Sequence, residues 1–369
     1  MSRASEYNIR HIVENAEAIF HSRRWYNGVV WCPYCQCFEV YEYANYHYRC
    51  KRCGNRFTDR TRTVLHNSKL PTKTWLLAAY EMVMDNYISS NVLAKKIGVT
   101  QKTALLIQNK IRFKIQLEKY QLTGIIAMDE AYIGGCISNY HYAKKQALMR
   151  QMGLMGINDK RHTKSALYAL NKRMKSPVYG MTDGNNVVLY ATPNPIRSTY
   201  LHYIYGKHVV GDSVCVSDES KLYNNWEKIT GSKIYTNNHS RNQYTTEEGL
   251  SSNRIENVFS RLKSGYKSRI THSKYTQLYL NEFCFRFNNR DKSPQERLNE
   301  LVDVMCVCGG NITYKKLKQY NSLSIFKVKE KHLRHIYTLT DIKEMFKGNS
   351  IAAEIHIGKT IYRKEDFKD

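Results

Sequence analysis

Three carboxylates sit where a chain can place chemistry. The run LTGIIAMDEAYIGG carries Asp129 at the end of an apolar stretch, ahead of a Gly-Gly turn. GDSVCVSDESKLYNNW carries Asp218 directly after the short strand pattern 214–217, and Asp212 ahead of that strand is the weaker candidate. LSSNRIENVFSRLKSGYKS carries Glu256 beside the apolar stripe Ile255, Val258, Phe259 and Leu262 of a helix. Three converging carboxylates repel unless cations fill the site, and hard oxygen ligands select Mg²⁺ or Mn²⁺. Two such ions ~4 Å apart can activate water or a 3′-hydroxyl and steady the leaving oxygen of a phosphodiester. Lys263 lies seven residues after Glu256, two helical turns on and on the same face. With 32 acidic residues in the chain, many triples could be chosen. The strand-end and helix-face placement sets these three apart. Asp183, in the Asp183-Gly184 turn of the hairpin SPVYGMTDGNNVVLYATPN, reads as structural.

A second constellation is sulfur. CPYCQCFEVYEYANYHYRCKRC sets two Cys-x-x-Cys pairs, Cys32/Cys35 and Cys50/Cys53, fourteen residues apart. Two such knuckles make a closed tetrahedral thiolate site for structural Zn²⁺, with no open position for catalysis. Gly54 follows the second pair, where a knuckle needs a permissive backbone. Cys37 could replace Cys35, although the Cys-x-x-Cys spacing favours Cys35. A redox role is disfavoured, because no βαβ pattern surrounds the pairs.

These sites need elements to hold them. YISSNVLAKKIGVTQKTALLIQNKIR reads as two short helices. Ser89 or Ser90 caps a first helix with Val92, Leu93, Ala94 and Ile97 on its apolar side, Gly98 ends it, and Thr100 caps a second with Ala104, Leu105 and Ile107. That is a helix-turn-helix, whose second helix would offer Thr100, Gln101, Lys102 and Thr103 to DNA. LPTKTWLLAAYEMVMD ahead of it reads as a supporting core helix, and a further helix is expected over 198–205.

The 369-residue chain has room for small modules and one sizeable core. Lys and Arg number 57 against 32 Asp and Glu, a formal charge of +25 that favours a polyanionic partner, nucleic acid above all. No apolar run is long enough to span a bilayer, and MSRASEYNIRHIVENAEAIF lacks the apolar centre of a signal peptide. The expected compartment is the cytoplasm, where the ten cysteines are thiols or metal ligands rather than disulfides. The fold class expected is α/β. A zinc ribbon falls within 1–70, the helix-turn-helix within 71–118, a mixed-sheet catalytic core within 119–300, and an extension of unknown role over 301–369. The extension holds one cysteine pair, Cys306 and Cys308, too few for a second closed site.

The fragments CPYC…YRCKRCGNRFTDRTRT, SKLPTKTW, LAKKIGVTQKTA, MDEAYIGG, SDESKLY, NRIENVFSRLK and LNEFCFRFNNR occur in this order from about Cys32 to Arg290. In content and order they resemble bacterial insertion-sequence transposases of the zinc-ribbon, Asp–Asp–Glu type, relatives of the eukaryotic Merlin elements. The resemblance implies an RNase H-like core that cuts element ends and joins the 3′-hydroxyls to target DNA with divalent metal. It implies Asp129, Asp218 and Glu256 as catalytic carboxylates and Lys263 as a phosphate-holding cation. The family's third position varies, so Asn253, three residues before Glu256, stays a second choice. His239 is a further candidate for the site. Double-stranded DNA is the implied partner, with a homo-oligomer assembling on it at the bacterial nucleoid. Two other readings remain open: an RNase H-like nuclease that does not join strands, and a non-catalytic zinc-ribbon and helix-turn-helix DNA-binding protein.

Overall fold

The computed structural model describes residues 3–84, 87–134, 141, 143, 147, 150, 175–193, 195–237, 252–266, 275–309, 312–320, 354–357 and 360–363. In chain order these form α1 (Arg3–Arg24), β1 (Val40–Ala44), β2 (His47–Cys50), β3 (Arg56–Thr58), α2 (Thr72–Met84), α3 (Ser90–Ile97) and α4 (Gln101–Lys114). Then come β4 (Ile125–Ile133), β5 (Ser176–Thr182), β6 (Val187–Ala191), α5 (Ser198–His208), β7 (Val214–Asp218), α6 (Trp226–Thr230) and β8 (Ile234–Asn237). α7 (Asn253–Tyr266), α8 (Thr276–Asn288), α9 (Pro294–Cys306), α10 (Tyr314–Lys318), β9 (Glu354–Ile357) and β10 (Thr360–Arg363) complete the set. The chain divides into two compact units, 1–119 with 261–322 and 120–260 with 323–369, and the division falls inside α7.

The first unit is helical, with the small β1–β2–β3 sheet of the ribbon attached. Its centre is α2, buried on nearly every side through Trp75, Leu76, Ala78, Ala79, Tyr80, Met82 and Val83. A helix apolar all round can only be a core helix. α1, α3, α4, α8 and α9 pack on it through Phe20, Leu93, Ile107, Phe285 and Leu301. Each fully buried side chain of this size contributes about 1.5–3 kcal/mol. α9 starts on a complete capping box, Ser293 with Glu296, and Pro294 at its first turn. Cys306 ends α9 inside this core as a buried thiol, which excludes it as a surface metal ligand.

The second unit is built on a five-stranded sheet of order β6-β5-β4-β7-β8. β4 pairs antiparallel with β5, β5 with β6, and β4 pairs parallel with β7, which pairs parallel with β8. β6 is buried at every position and β5 at all but its first, as expected of strands covered on both faces. The β5–β6 turn is the expected one. Asp183 Oδ1 accepts from the Asn185 and Asn186 backbone N–H at 2.9 and 2.7 Å, and Gly184 takes φ +96°. Asp183 is therefore structural. β9 and β10 form a separate antiparallel pair.

One expectation about Asp129 changes. β4 runs on through Ile133, so Asp129 is its middle residue rather than its end. The Met-Asp-Glu-Ala stretch reads as a stop in polarity, but β5 supplies backbone partners along it, Ala127 opposite Thr182 through Ile133 opposite Ser176. Val92 also differs: it is 44% exposed, because the buried side of α3 is carried by Leu93 and Ala94.

Candidate functional site

Register brings the first two carboxylates together. Ile125, Ile126 and Ala127 of β4 pair with Val214, Cys215 and Val216 of β7. The same parallel register carried two residues further sets Asp129 beside Asp218, at the neighbouring-strand spacing of ~4.8 Å. Carboxylate oxygens of Asp129, Glu130 and Asp218 lie within 4.8 Å of one another. Oxygens that share one Mg²⁺ at ~2.1 Å are at most ~4.2 Å apart, so this group fits a hard divalent ion with a small adjustment.

Glu130 enters this group although the sequence does not single it out. Strand alternation sends neighbours to opposite faces, which discounts the residue after Asp129. Here the Glu130 backbone N–H donates to Asp129 Oδ1 at 2.7 Å, and the Tyr223 hydroxyl donates to Glu130 Oε1 at 2.6 Å. Tyr223 lies in the short 3-10 turn (Lys221–Tyr223) that leaves β7 and is capped by Ser220. Burial, then the neighbouring Tyr179 and Glu130, push its phenol well up, so it stays a donor. Two adjacent strands and the turn that leaves β7 thus hold three acidic side chains in one place.

Glu256 is not among the three. It is exposed on the first turn of α7, where Ser252 Oγ donates to its Oε1 at 3.0 Å. α7 itself crosses the sheet at a defined spot. Gly180 is the β5 residue opposite Asp129. A Cβ there would stand 2.9 Å from both Ile255 Cδ1 and Phe259 Cζ, and 2.7 Å from Leu189 Cδ2. The missing side chain admits Ile255 and Phe259 of α7, and the apolar stripe Ile255, Val258, Phe259 and Leu262 is buried as expected. The Arg254 guanidinium also donates to the Asp183 carbonyl at 3.3 Å, which ties the start of α7 to the β5–β6 turn. Asn253 opens α7 and is exposed, and so is Lys263 two turns beyond Glu256. Asp212 is exposed ahead of β7 and is not one of the three. His239 lies outside the described residues.

The four thiols of Cys32, Cys35, Cys50 and Cys53 also converge within 4.8 Å. Cys32 and Cys53 Sγ are 3.6 Å apart, as are Cys35 and Cys50 Sγ. That is far beyond a disulfide bond of ~2.05 Å and close to the ~3.8 Å edge of a tetrahedron with 2.3 Å Zn–S bonds. The two knuckles share one backbone device. Gln36 and Gly54, each one residue past its pair, take φ +62° and +69°. Their N–H groups donate to the Cys32 and Cys50 carbonyls at 2.8 and 3.0 Å. Only the second used glycine, so only the second was legible. The Asn55 backbone and side-chain amides bring the Cys53 thiol down to about 6. Cys37 stands outside the group and its sulfur accepts from the Glu39 N–H at 3.3 Å.

The two short helices α3 and α4 take the expected caps. Ser89 Oγ accepts from Val92 N–H, Gly98 ends α3 at φ +69°, and Thr100 Oγ1 accepts from Thr103 N–H to start α4. Gln101 and Lys102 are exposed and Thr103 is half-buried. Gln101 Nε2 donates to Ser90 Oγ at 2.8 Å, which holds that side chain across the turn. The far half of α4 is anchored instead. Arg112 Nε donates to Glu282 Oε2 at 2.6 Å, and Arg286 donates to Glu282 Oε1 at 3.0 Å. Burial pushes the Glu282 carboxyl up, but the two guanidiniums outweigh it and hold it below its usual range.

A mixed sheet of this strand order, with acidic residues on its adjacent central strands, fits an RNase H-like core. Residues 121–288 match the ISXO2-like transposase domain family. The chain is also 32% identical over 114 residues to an uncharacterized protein in transposable element ISH50 of Halobacterium salinarum, covering 30% of this chain and 38% of that relative. No solved structure matches. The resemblance to insertion-sequence transposases drawn from the motifs is thus shown over this domain. Among the described residues no helix is long and apolar enough to cross a membrane.

Proposed function

We propose that the protein is a DNA transposase that binds the terminal repeats of an insertion sequence, cleaves at the element ends and joins the 3′-hydroxyls to target DNA. The observation that carries this reading is the meeting of Asp129 and Asp218 on adjacent parallel strands, inside the matched transposase domain. Divalent Mg²⁺ or Mn²⁺ ions bound there would activate water or a 3′-hydroxyl and stabilise the leaving oxygen. Asp129 and Asp218 hold the ions from rigid strands. Glu256, delivered by α7 over the Gly180 gap, is the third carboxylate, with Asn253 the alternative on the same helix. Glu130, oriented by Tyr223, adds a third oxygen donor beside Asp129 and Asp218. Lys263 holds a DNA phosphate, and Thr100, Gln101, Lys102 and Thr103 face the repeat sequence. The four thiols hold structural Zn²⁺, and the protein works on duplex DNA in the cytoplasm as a homo-oligomer.

The test uses labelled DNA carrying the element ends, incubated with purified protein in Mg²⁺ or in EDTA. Strand-transfer products in Mg²⁺ alone are expected, and products that persist in EDTA would remove the metal chemistry. Cleavage without joining would favour the nuclease reading, and binding without cleavage the regulator. Glu256→Gln should abolish transfer while Asn253→Ala keeps part of it. The reverse order would assign the third ligand to Asn253.

A further inference from the structure

The ribbon carries a feature that the thiol site does not require. Beside it lies a cleft of about 640 Å³ walled by Tyr43, Tyr46, His47, Arg56 and Arg60, a volume in the range of sites that take a small ligand. Its aromatic groups are presented outward. Tyr43 is 49% exposed on the edge strand β1. Tyr46 sits in the β1–β2 turn at φ +58°, a conformation costly for a bulky residue, and its ring lies 4.8 Å from that of His21. Arg56 is exposed, with its guanidinium carbon 5.7 Å from the centre of the Tyr43 ring. It has no ion-pair partner among the described residues. Arg60 is used within the wall, donating to the Ser68 and Leu70 carbonyls at 2.7 Å each.

The acids of the cleft do not cancel this charge. Asp59 is 3% exposed and accepts from Trp25 Nε1 at 2.6 Å, with His21 Nδ1 at 2.9 Å from its other oxygen, so it serves the wall. Glu17 is the exposed carboxylate at the rim. What faces the cleft is a guanidinium on an aromatic ring, with a second ring in the neighbouring turn. A duplex hides the faces of its bases in the stack, so rings offered for stacking have little to gain from it. An unpaired nucleotide offers both complements, a π face for Tyr43 or Tyr46 and a phosphate for Arg56.

We propose that this cleft binds an unpaired nucleotide of single-stranded DNA, by stacking on Tyr43 and Tyr46 and a phosphate contact to Arg56. The choice of DNA over RNA rests on the function proposed above, whereas the preference for an unpaired strand rests on the cleft alone.

The zinc-loaded full chain is titrated, without divalent metal, with fluorescein-labelled dT15, rU15 and a random-sequence duplex, and binding is read by anisotropy. Tyr43→Ala and Arg56→Ala are each expected to weaken dT15 binding about tenfold and to change duplex binding by less than about twofold. Tyr43→Phe should bind dT15 like the wild type. Tyr43 and Arg56 are surface residues, and unchanged zinc content and circular dichroism confirm the fold of each variant. Equal losses on dT15 and duplex would reduce the cleft to general electrostatics and overturn the proposal, as would no loss on dT15. Tighter binding of rU15 than dT15 would overturn the choice of DNA. None of these outcomes depends on catalysis, so a failed strand-transfer assay leaves them readable.

Discussion

The thiol centre and the carboxylate centre are built on opposite terms. Cys32, Cys35, Cys50 and Cys53 come from two tight knuckles and one short sheet, and their metal would organise a module with few apolar residues of its own. Asp129, Glu130 and Asp218 come from strands far apart in sequence, on a sheet already buried by Val178, Val188, Leu189 and Val216. In the first, metal binding and folding would be one event. In the second, the fold comes first and holds like charges together at a cost to stability. Stability against ligand loss is therefore where the two should differ most.

The largest expected effect is on the ribbon. Cys50→Ser should release the Zn²⁺ and unfold the ribbon, since structural zinc contributes about 10–16 kcal/mol in comparable peptides. Metal analysis and thermal melting check this, and full zinc content in the variant would show that the ligand set is wrong. Loss of a carboxylate should act the other way, with Asp218→Asn melting at or above the wild-type temperature because repulsion is relieved.

That contrast also explains what could be read in advance. The thiol site was legible because its ligands keep a fixed short spacing. The caps at Ser89, Gly98 and Thr100 were legible for the same reason. Asp129 and Asp218 were legible as polar interruptions of apolar runs, although their adjacency depends on a β4–β7 register that no local pattern states. Glu130 was lost to the alternation rule, since what holds it is a tyrosine from another strand's connection. The grouping of α8 and α9 with the N-terminal helices was equally silent, because an apolar helix face does not name its partner.

A middle-sized effect should come from the position that seats α7. Gly180→Val places methyl groups where even a Cβ meets Leu189, Ile255 and Phe259 below 3.0 Å. A loss of about 1–3 kcal/mol is expected, together with loss of strand transfer, because Glu256 rides on that helix. Chemical denaturation and the transfer assay on one preparation measure both. A stable variant with full activity would show that α7 does not need this gap.

An effect of similar size, confined to acid pH, is expected at His202. Burial brings the His202 ring down to about 4, and neither of its nitrogens has a hydrogen-bond partner among the described residues. The unfolded chain takes up a proton near 6.5 while the folded one resists until about 4. This contribution is therefore intact above about 6.5 and lost as pH falls between the two values, by about 2–3 kcal/mol. His202→Phe, beside Trp226, should flatten the acid side of the stability profile. An unchanged profile would mean that His202 is protonated at no cost.

The most direct test of the account is Mn²⁺ binding to the folded protein, measured by calorimetry with Zn²⁺ already in place. Wild type should bind the ion, while Asp129→Asn and Asp218→Asn should each bind at least about tenfold more weakly, with unchanged circular dichroism. Mn²⁺ affinity in both variants equal to that of the wild type would contradict the assignment of this strand pair as the metal-holding centre.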